Sequence, residues 1–234
     1  MFDYIVCFYF GERRVKTTNS LLLSYRYIFV KKHLDFIKNN KTVLKDINSI
    51  VLVINNSSDE DLESVANIKN EYSFSDKIII IGRDNSNYSY GAWNESLIHQ
   101  INLNTQSSHA FLCEDDYIPC DENFHKKFIE FSNFDIVYVC QLVSEKFPSI
   151  SNGFINYKII KDYYNNTKQL FVLNNNYNDY VNAEICQVNF LNNFNNFKCV
   201  DICEKYYSKF LCFNDGIVIY GNEKGEELIK PILE

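Results

Sequence analysis

Three consecutive carboxylates, Glu114-Asp115-Asp116, follow directly on the apolar run Phe111-Leu112-Cys113, and Tyr117-Ile118-Pro119 closes the segment. Adjacent carboxylates repel one another, and each makes its neighbour harder to ionise. A hard divalent cation relieves that repulsion, because it takes oxygen ligands and keeps positions open for phosphate oxygens. An acidic tip at a strand end therefore points to chemistry on a diphosphate-bearing substrate. The competing reading is an acidic turn ahead of a helix, for which Pro119 and Asp121 make a cap credible.

Other apolar runs also end in hydrogen-bonding groups. Val51-Leu52-Val53-Ile54 leads into Asn55-Asn56-Ser57-Ser58-Asp59, an Asx-type turn in its simplest reading. The isoleucine run ending at Ile81 leads into Gly82-Arg83-Asp84-Asn85, and the first apolar run leads into Gly11-Glu12-Arg13-Arg14. An arginine in such a place can meet a phosphate or a base carbonyl.

Hydrophobic periodicity supplies the elements that must position these groups. Strands are expected at 4–10, 49–54, 77–81, 110–114 and 135–140, and helices at 19–39, 59–72, 90–102 and 122–131. Asp59 is expected to cap the second helix, whose acidic first turn suits the macrodipole. The alternation predicts an α/β fold, a mainly parallel sheet covered by helices on both faces. Near-continuous apolar strands fit burial on both sides. On such sheets ligands bind outside the carboxyl ends of the strands, which is where the polar segments converge.

Beyond Gln141 the rhythm changes. A turn is expected at 151–153, a strand from 154 running into a helix that ends near 164, a polar loop at 174–179, helical spacing over 180–194 and a strand at 216–220. The 234 residues fit a single domain. Its first half, 1–141, would bind the diphosphate-bearing substrate, and its second, 142–234, that substrate's reaction partner.

Composition narrows the function. Apolar residues make up 46% of the chain, enough for a core. The net charge of -7, with a pI near 5.2 and no basic cluster, argues against nucleic acid as a partner. None of the 8 cysteines forms a CxxC pair, so a zinc ribbon or thioredoxin-like motif is unsupported. Cys7, Cys113 and Cys140 lie in apolar runs and read as core thiols in a reducing compartment. The 4 histidines, His33, His99, His109 and His125, do not cluster along the chain. Met1 leads into an apolar strand without a basic region, and no run is long enough to span a bilayer, so a cytoplasmic protein is expected.

Three segments, in order, resemble nucleotide-sugar glycosyltransferases of the GT-A fold. Glu114-Asp115-Asp116 resembles their DxD-type motif. Val51 to Asp59 resembles the second-strand segment of glycosyltransferase family 2, with Asn55 in place of the usual leading Asp. Arg83-Asp84-Asn85-Ser86-Asn87-Tyr88-Ser89-Tyr90-Gly91-Ala92-Trp93-Asn94-Glu95-Ser96-Leu97 resembles a loop-and-helix segment of polysaccharide glycosyltransferases, including the rhamnan-synthesis group, with Ser89 where Asp is frequent.

The resemblance implies a nucleoside-diphosphate sugar as donor, a glycan, polysaccharide or glycoprotein as acceptor, and Mn²⁺ or Mg²⁺ as cofactor. Asp116 is then the main metal ligand and Glu114 the second. Donor contacts fall to Phe10, Glu12, Arg13, Asn55, Ser57, Arg83, Asn87, Gly91, Glu114 and Asp115, the last either as a contact or as the residue that orients the turn. Gly91 would permit close backbone approach, and Trp93 reads as core. Transfer with inversion needs a carboxylate base from a later segment. Glu184 is favoured, with Asp179 a second candidate or a helix cap, and Asp162 and Asp215 behind them. A nucleotidyltransferase and a non-catalytic binding module are the competing readings.

Overall fold

The computed structural model describes residues 1–11, 25–115, 117–119, 122–138, 152–168, 170–171, 199–201, 209–212, 218–221 and 229–231. In chain order the elements are β1 (Phe2–Tyr9), α1 (Tyr25–Asn39), α2 (Lys41–Asp46), β2 (Ile47–Asn55), α3 (Asp59–Asn70), β3 (Ile78–Arg83), α4 (Tyr88–Asn102), β4 (His109–Glu114), β5 (Tyr117–Pro119), α5 (Phe124–Ile129), β6 (Ile136–Tyr138), β7 (Asn152–Asn156), α6 (Tyr157–Thr167), β8 (Cys199–Asp201), β9 (Lys209–Cys212), β10 (Val218–Gly221) and β11 (Ile229–Pro231).

Among the described residues the main sheet has seven strands in the order β3-β2-β1-β4-β7-β6-β8. Pairings β1–β2, β2–β3, β1–β4 and β6–β8 are parallel, and β7 runs antiparallel to both of its neighbours. This is the mixed, mainly parallel α/β sheet expected from the sequence. Strand order reverses at β1, which lies between β2 and β4. On such sheets the crevice that takes a ligand lies outside the carboxyl ends of the strands that flank this reversal, here β1 and β4.

Alternation along the strands divides the core between two faces. Tyr4, Val6 and Phe8 of β1, with Leu52, Ile54 and Phe111, pack against Phe29, Val30, Leu34 and Ile37 of α1, Val65 of α3 and Phe124 and Phe128 of α5. Ile5 and Cys7, with Val51, Val53, Ala110 and Leu112, pack against Trp93 and Leu97 of α4 and Ile160 of α6. Both faces are thus covered by helices, and Trp93 is fully buried.

Several local expectations need correction. Ser58, not Asp59, caps α3: its Oγ accepts from the Asp61 backbone N–H, and the Asp61 carboxylate accepts from the Ser58 N–H. This reciprocal pair satisfies two otherwise orphan donors, and Asp59 begins the helix. Asn152 and Gly153 belong to a strand and not to a turn, because their backbone is paired with Cys113 and Leu112 of β4. The ladder there overrides local turn chemistry. Asn156 then caps α6, which runs on to Thr167, its Oδ1 accepting from the Lys158 N–H. Past Ile129, bonds from Phe131 to Phe128 and from Ser132 to Ile129 tighten the chain into turns and end α5 early. The short elements α2 and β5 were not foreseen, and β5 pairs with β11 near the end of the chain. The helical spacing expected over 180–194 lies outside the described residues.

Candidate active site at the carboxyl edge of the sheet

Four strand ends are tied together at one edge. Tyr9 is in register with Asn55, and Asn55 with Arg83, while Cys7 is in register with Glu114. Beyond these pairs the chain is still cross-linked: the Phe10 N–H donates to the Asn55 carbonyl at 2.9 Å, and the Asn56 N–H donates to the Arg83 carbonyl at 2.8 Å. Asn56 is left-handed at φ 59°, which an asparagine tolerates.

The acidic tip lies at the β1–β4 crevice, and its residues have different surroundings. Asp115 is buried, at 2% exposure. Its Oδ2 accepts from the Tyr9 backbone N–H at 3.0 Å, and its carbonyl oxygen lies 3.0 Å from His33 Nε2. A carbonyl only accepts, so Nε2 carries the proton. Burial holds the His33 pKa down at about 4, against the raising effect of the Asp115 carbonyl. The neutral ring leaves Nδ1 to accept from the Tyr4 hydroxyl at 2.9 Å. Glu114 is half-buried and takes a hydrogen bond from Ser89 Oγ at 2.8 Å, at the start of α4. Cys113 Sγ lies 2.7 Å from the Tyr117 carbonyl. Burial, then the charges of Asp115 and Glu114, push the Cys7 thiol far up, so Cys7 is a neutral thiol beneath the tip.

A second network holds the loop between β3 and α4. Arg83 Nη1 donates to Asn55 Oδ1 at 2.6 Å, Nη2 to the Ser86 carbonyl at 2.7 Å, and Nε to Glu95 at 2.9 Å. Asn55 Nδ2 donates to Cys7 Sγ at 3.1 Å, so both ends of the Asn55 amide are engaged inside the protein. A Cβ on Gly91 would clash with the Ser86 carbonyl and lie 2.9 Å from Arg83 Nη2. The close approach at Gly91 is therefore to its own loop. Asn87 and Tyr88 are both left-handed, at φ 57° and 51°. For a bulky tyrosine that conformation stores strain of a kind that gathers at functional sites.

Of the residues expected at the donor, Phe10, Asn55, Ser57, Arg83, Asn87, Gly91, Glu114 and Asp115 come to this one edge. Phe10, Asn55, Gly91 and Asp115 are buried there, whereas Ser57, Arg83, Asn87 and Glu114 are half-buried. Phe10 packs its ring 5.5 Å from Tyr27. Glu12, Arg13, Asp116, Asp179 and Glu184 lie outside the described residues. Among the described residues no three His, Cys, Asp or Glu side chains converge to hold a metal ion. The two described acidic residues of the tip, Glu114 and Asp115, offer hard oxygen, the donor type that Mg²⁺ and Mn²⁺ take. His33 was not singled out from the sequence. Its position among Phe29, Val30, Leu34 and Ile37 on the buried side of α1 was the available signal.

No protein-family model and no curated protein matches the chain. Solved structures similar to it include HddC from Yersinia pseudotuberculosis, at 16% identity over 70% of this chain and 80% of that one, with a TM-score of 0.49. The mannosyltransferase PcManGT from Pyrobaculum calidifontis, in complex with GDP-Man and Mn²⁺, is similar at 10% identity over 69% of this chain and 46% of that one, TM-score 0.49. A 4-diphosphocytidyl-2C-methyl-D-erythritol synthase from Anaerococcus prevotii covers 86% of both chains at 14% identity, TM-score 0.49. These likenesses concern the course of the chain and not its activity. Among the described residues no helix is long and apolar enough to cross a membrane.

Proposed function

We propose that this chain is a glycosyltransferase of the family-2-like, polysaccharide-building kind, moving a sugar from a nucleoside-diphosphate donor to a glycan acceptor with inversion. The observation that carries the reading is the acidic tip at the β1–β4 crevice, tied to Tyr9 and joined along one edge by the polar ends of β2 and β3. Glu114 and Asp116 would hold a divalent cation, Mn²⁺ or Mg²⁺, which when bound neutralises charge on the departing diphosphate as a Lewis acid. Ser89 orients the Glu114 carboxylate. Asp115 serves the turn, its carboxylate and carbonyl both taken up by the protein. Arg13 would meet a phosphate oxygen. Glu184 accepts the proton of the acceptor hydroxyl as its oxygen bonds to the anomeric carbon and the bond from that carbon to the diphosphate breaks.

A melting screen with UDP-, GDP- and dTDP-sugars, with and without Mn²⁺, tests this. A donor at about one hundred times its dissociation constant stabilises by about 2.7 kcal/mol, which raises the midpoint of a chain this size by roughly 5–10 °C. The expected rise needs Mn²⁺ and is lost in Asp116→Asn. A rise that is equal without Mn²⁺, or none with any donor, refutes the proposal. Pyrophosphate release from a nucleoside triphosphate would move the reading to a nucleotidyltransferase.

A further inference from the structure

We infer that His33 is a positioning residue for the acidic tip, holding the Asp115 carbonyl so that the backbone enters Asp116 in one fixed direction. The inference rests on the reading of Glu114 and Asp116 as cation ligands. His33 is fully buried in α1, edge-on to the rings of Tyr4 and Phe8 at 6.0 and 5.6 Å. A residue that only filled this aromatic space would need no nitrogen. A buried imidazole must satisfy both of its nitrogens or lose stability, and here both are satisfied. The Tyr4 hydroxyl donates to Nδ1, and Nε2 donates to the carbonyl of Asp115, 82 residues away.

The same turn is gripped at other points. The Asp115 carboxylate accepts from the Tyr9 N–H, and the Tyr117 carbonyl lies 2.7 Å from the buried Cys113 thiol. The residues on both sides of Asp116 are therefore anchored to buried groups. Of these three anchors, His33 is the one that reaches the turn with a side chain from another element, ending on the Asp115 backbone carbonyl. Outer partners of this kind commonly set metal affinity by fixing the ligands that touch the ion.

Three variants of the full chain test the inference. His33→Phe keeps the ring volume and removes both nitrogens. His33→Gln keeps an N–H donor near the place of Nε2. Tyr4→Phe removes only the hydroxyl that fixes the tautomer. Two quantities are measured: amide hydrogen exchange over residues 113–118, and Mn²⁺ uptake in the presence of UDP or GDP, followed by the resonance of free Mn²⁺. In His33→Phe, exchange over that segment should quicken by about tenfold and Mn²⁺ affinity fall by about 10–100-fold, with His33→Gln within about threefold of the parent in both. Tyr4→Phe should move both in the same direction by less. Unchanged exchange in His33→Phe overturns the anchor. Quicker exchange with unchanged Mn²⁺ affinity overturns its role at the cation. A parent protein that takes up no Mn²⁺ with either nucleotide overturns the proposed function, and the exchange measurement alone then decides the anchor. Should His33→Phe fail to fold, Tyr4→Phe is read against His33→Gln in the same two measurements.

Discussion

Strand β1 has a buried carboxylate close to each of its ends, and the two are finished in different ways. At the amino end, Asp3 is fully buried. Its Oδ1 accepts from Asn48 Nδ2 at 3.1 Å, Ser49 Oγ at 2.9 Å and Ser107 Oγ at 2.6 Å, and its Oδ2 from Thr105 Oγ1 at 2.9 Å. Neutral donors from two flanking segments complete it. Tyr157 lies close by, where burial, and then the Asp3 charge, drive its phenol pKa well up. At the carboxyl end Asp115 is completed in the same spirit, by the Tyr9 N–H, but it is followed directly by Asp116 and preceded by the half-buried Glu114. The comparison teaches that an acidic residue is structural or ligand-binding according to the donors that reach it. Asp3 closes its end of the sheet, whereas Asp115 closes its own surroundings and leaves its neighbours for the cation of the proposed reaction.

The sharpest way to break that contrast is to remove Asp3. Asp3→Leu strips the acceptor from four buried or half-buried donors, and each donor left unsatisfied costs on the order of 1–3 kcal/mol. Thr105 also accepts from the Ser107 N–H and from Asn48 Nδ2, so the group is not left wholly without partners. The expected loss is about 2–4 kcal/mol in urea unfolding, with the donor-induced rise in melting temperature unchanged in size. A variant that unfolds as readily as the parent, or that loses its donor response while folded, would erase the distinction between the two ends.

The carboxyl end should instead carry a step in pH. The folded pKa of His33, at about 4, lies below the unfolded value near 6.5 because burial disfavours the imidazolium. The unfolded chain therefore takes up the proton first. Stability from this group is complete above about pH 6.5 and declines as the pH falls towards about 4, by up to about 3 kcal/mol. Unfolding curves at a series of pH values across that window check the sign and the size. His33→Gln should flatten the decline by the same amount. An equal decline in parent and variant would assign the step to other groups.

Legibility in the sequence followed the range of the interactions. The run Val51–Ile54 could be read as a buried strand because burial on both faces leaves a continuous apolar signal, and Ile78–Ile81 carries the same signal although β3 is an edge strand of which only Ile78 is fully buried. The capping box of α3 was present in the spacing of Ser58 and Asp61, yet the acid nearest the helix start drew the cap to Asp59. Only the later part of β7, from Phe154, could be read, since Asn152-Gly153 has turn chemistry and joins the strand only through β4 and β6. The convergence of polar groups on one edge was legible, because such groups followed each apolar run. The different surroundings of Glu114 and Asp115 were not, because they depend on Ser89, on Tyr9, 106 residues from Asp115, and on His33. Asn55 is a similar case: its amide is taken up by Arg83, 28 residues away, and by Cys7.

The smallest effect is expected at the outer end of the Arg83 network, where the carboxyl edge meets solvent. Glu95 is about half exposed, at 50%, and pairs with Arg83 Nε at 2.9 Å, while the Arg83 side chain is only 9% exposed. The guanidinium is held from inside by Asn55 and by the Ser86 carbonyl. Glu95→Gln keeps an oxygen that can still accept from Nε and removes only a charge that solvent screens. The expected cost is below about 1 kcal/mol, and it should shrink further in high salt, where the parent loses the same attraction. Donor-induced stabilisation should be unaltered. A loss above about 2 kcal/mol would mean that the guanidinium depends on its exposed partner, since a charge pair at the surface does not reach that size on its own. The β3–α4 loop would then be fastened from the solvent side, and the carboxyl edge would no longer resemble the amino edge in being built from within.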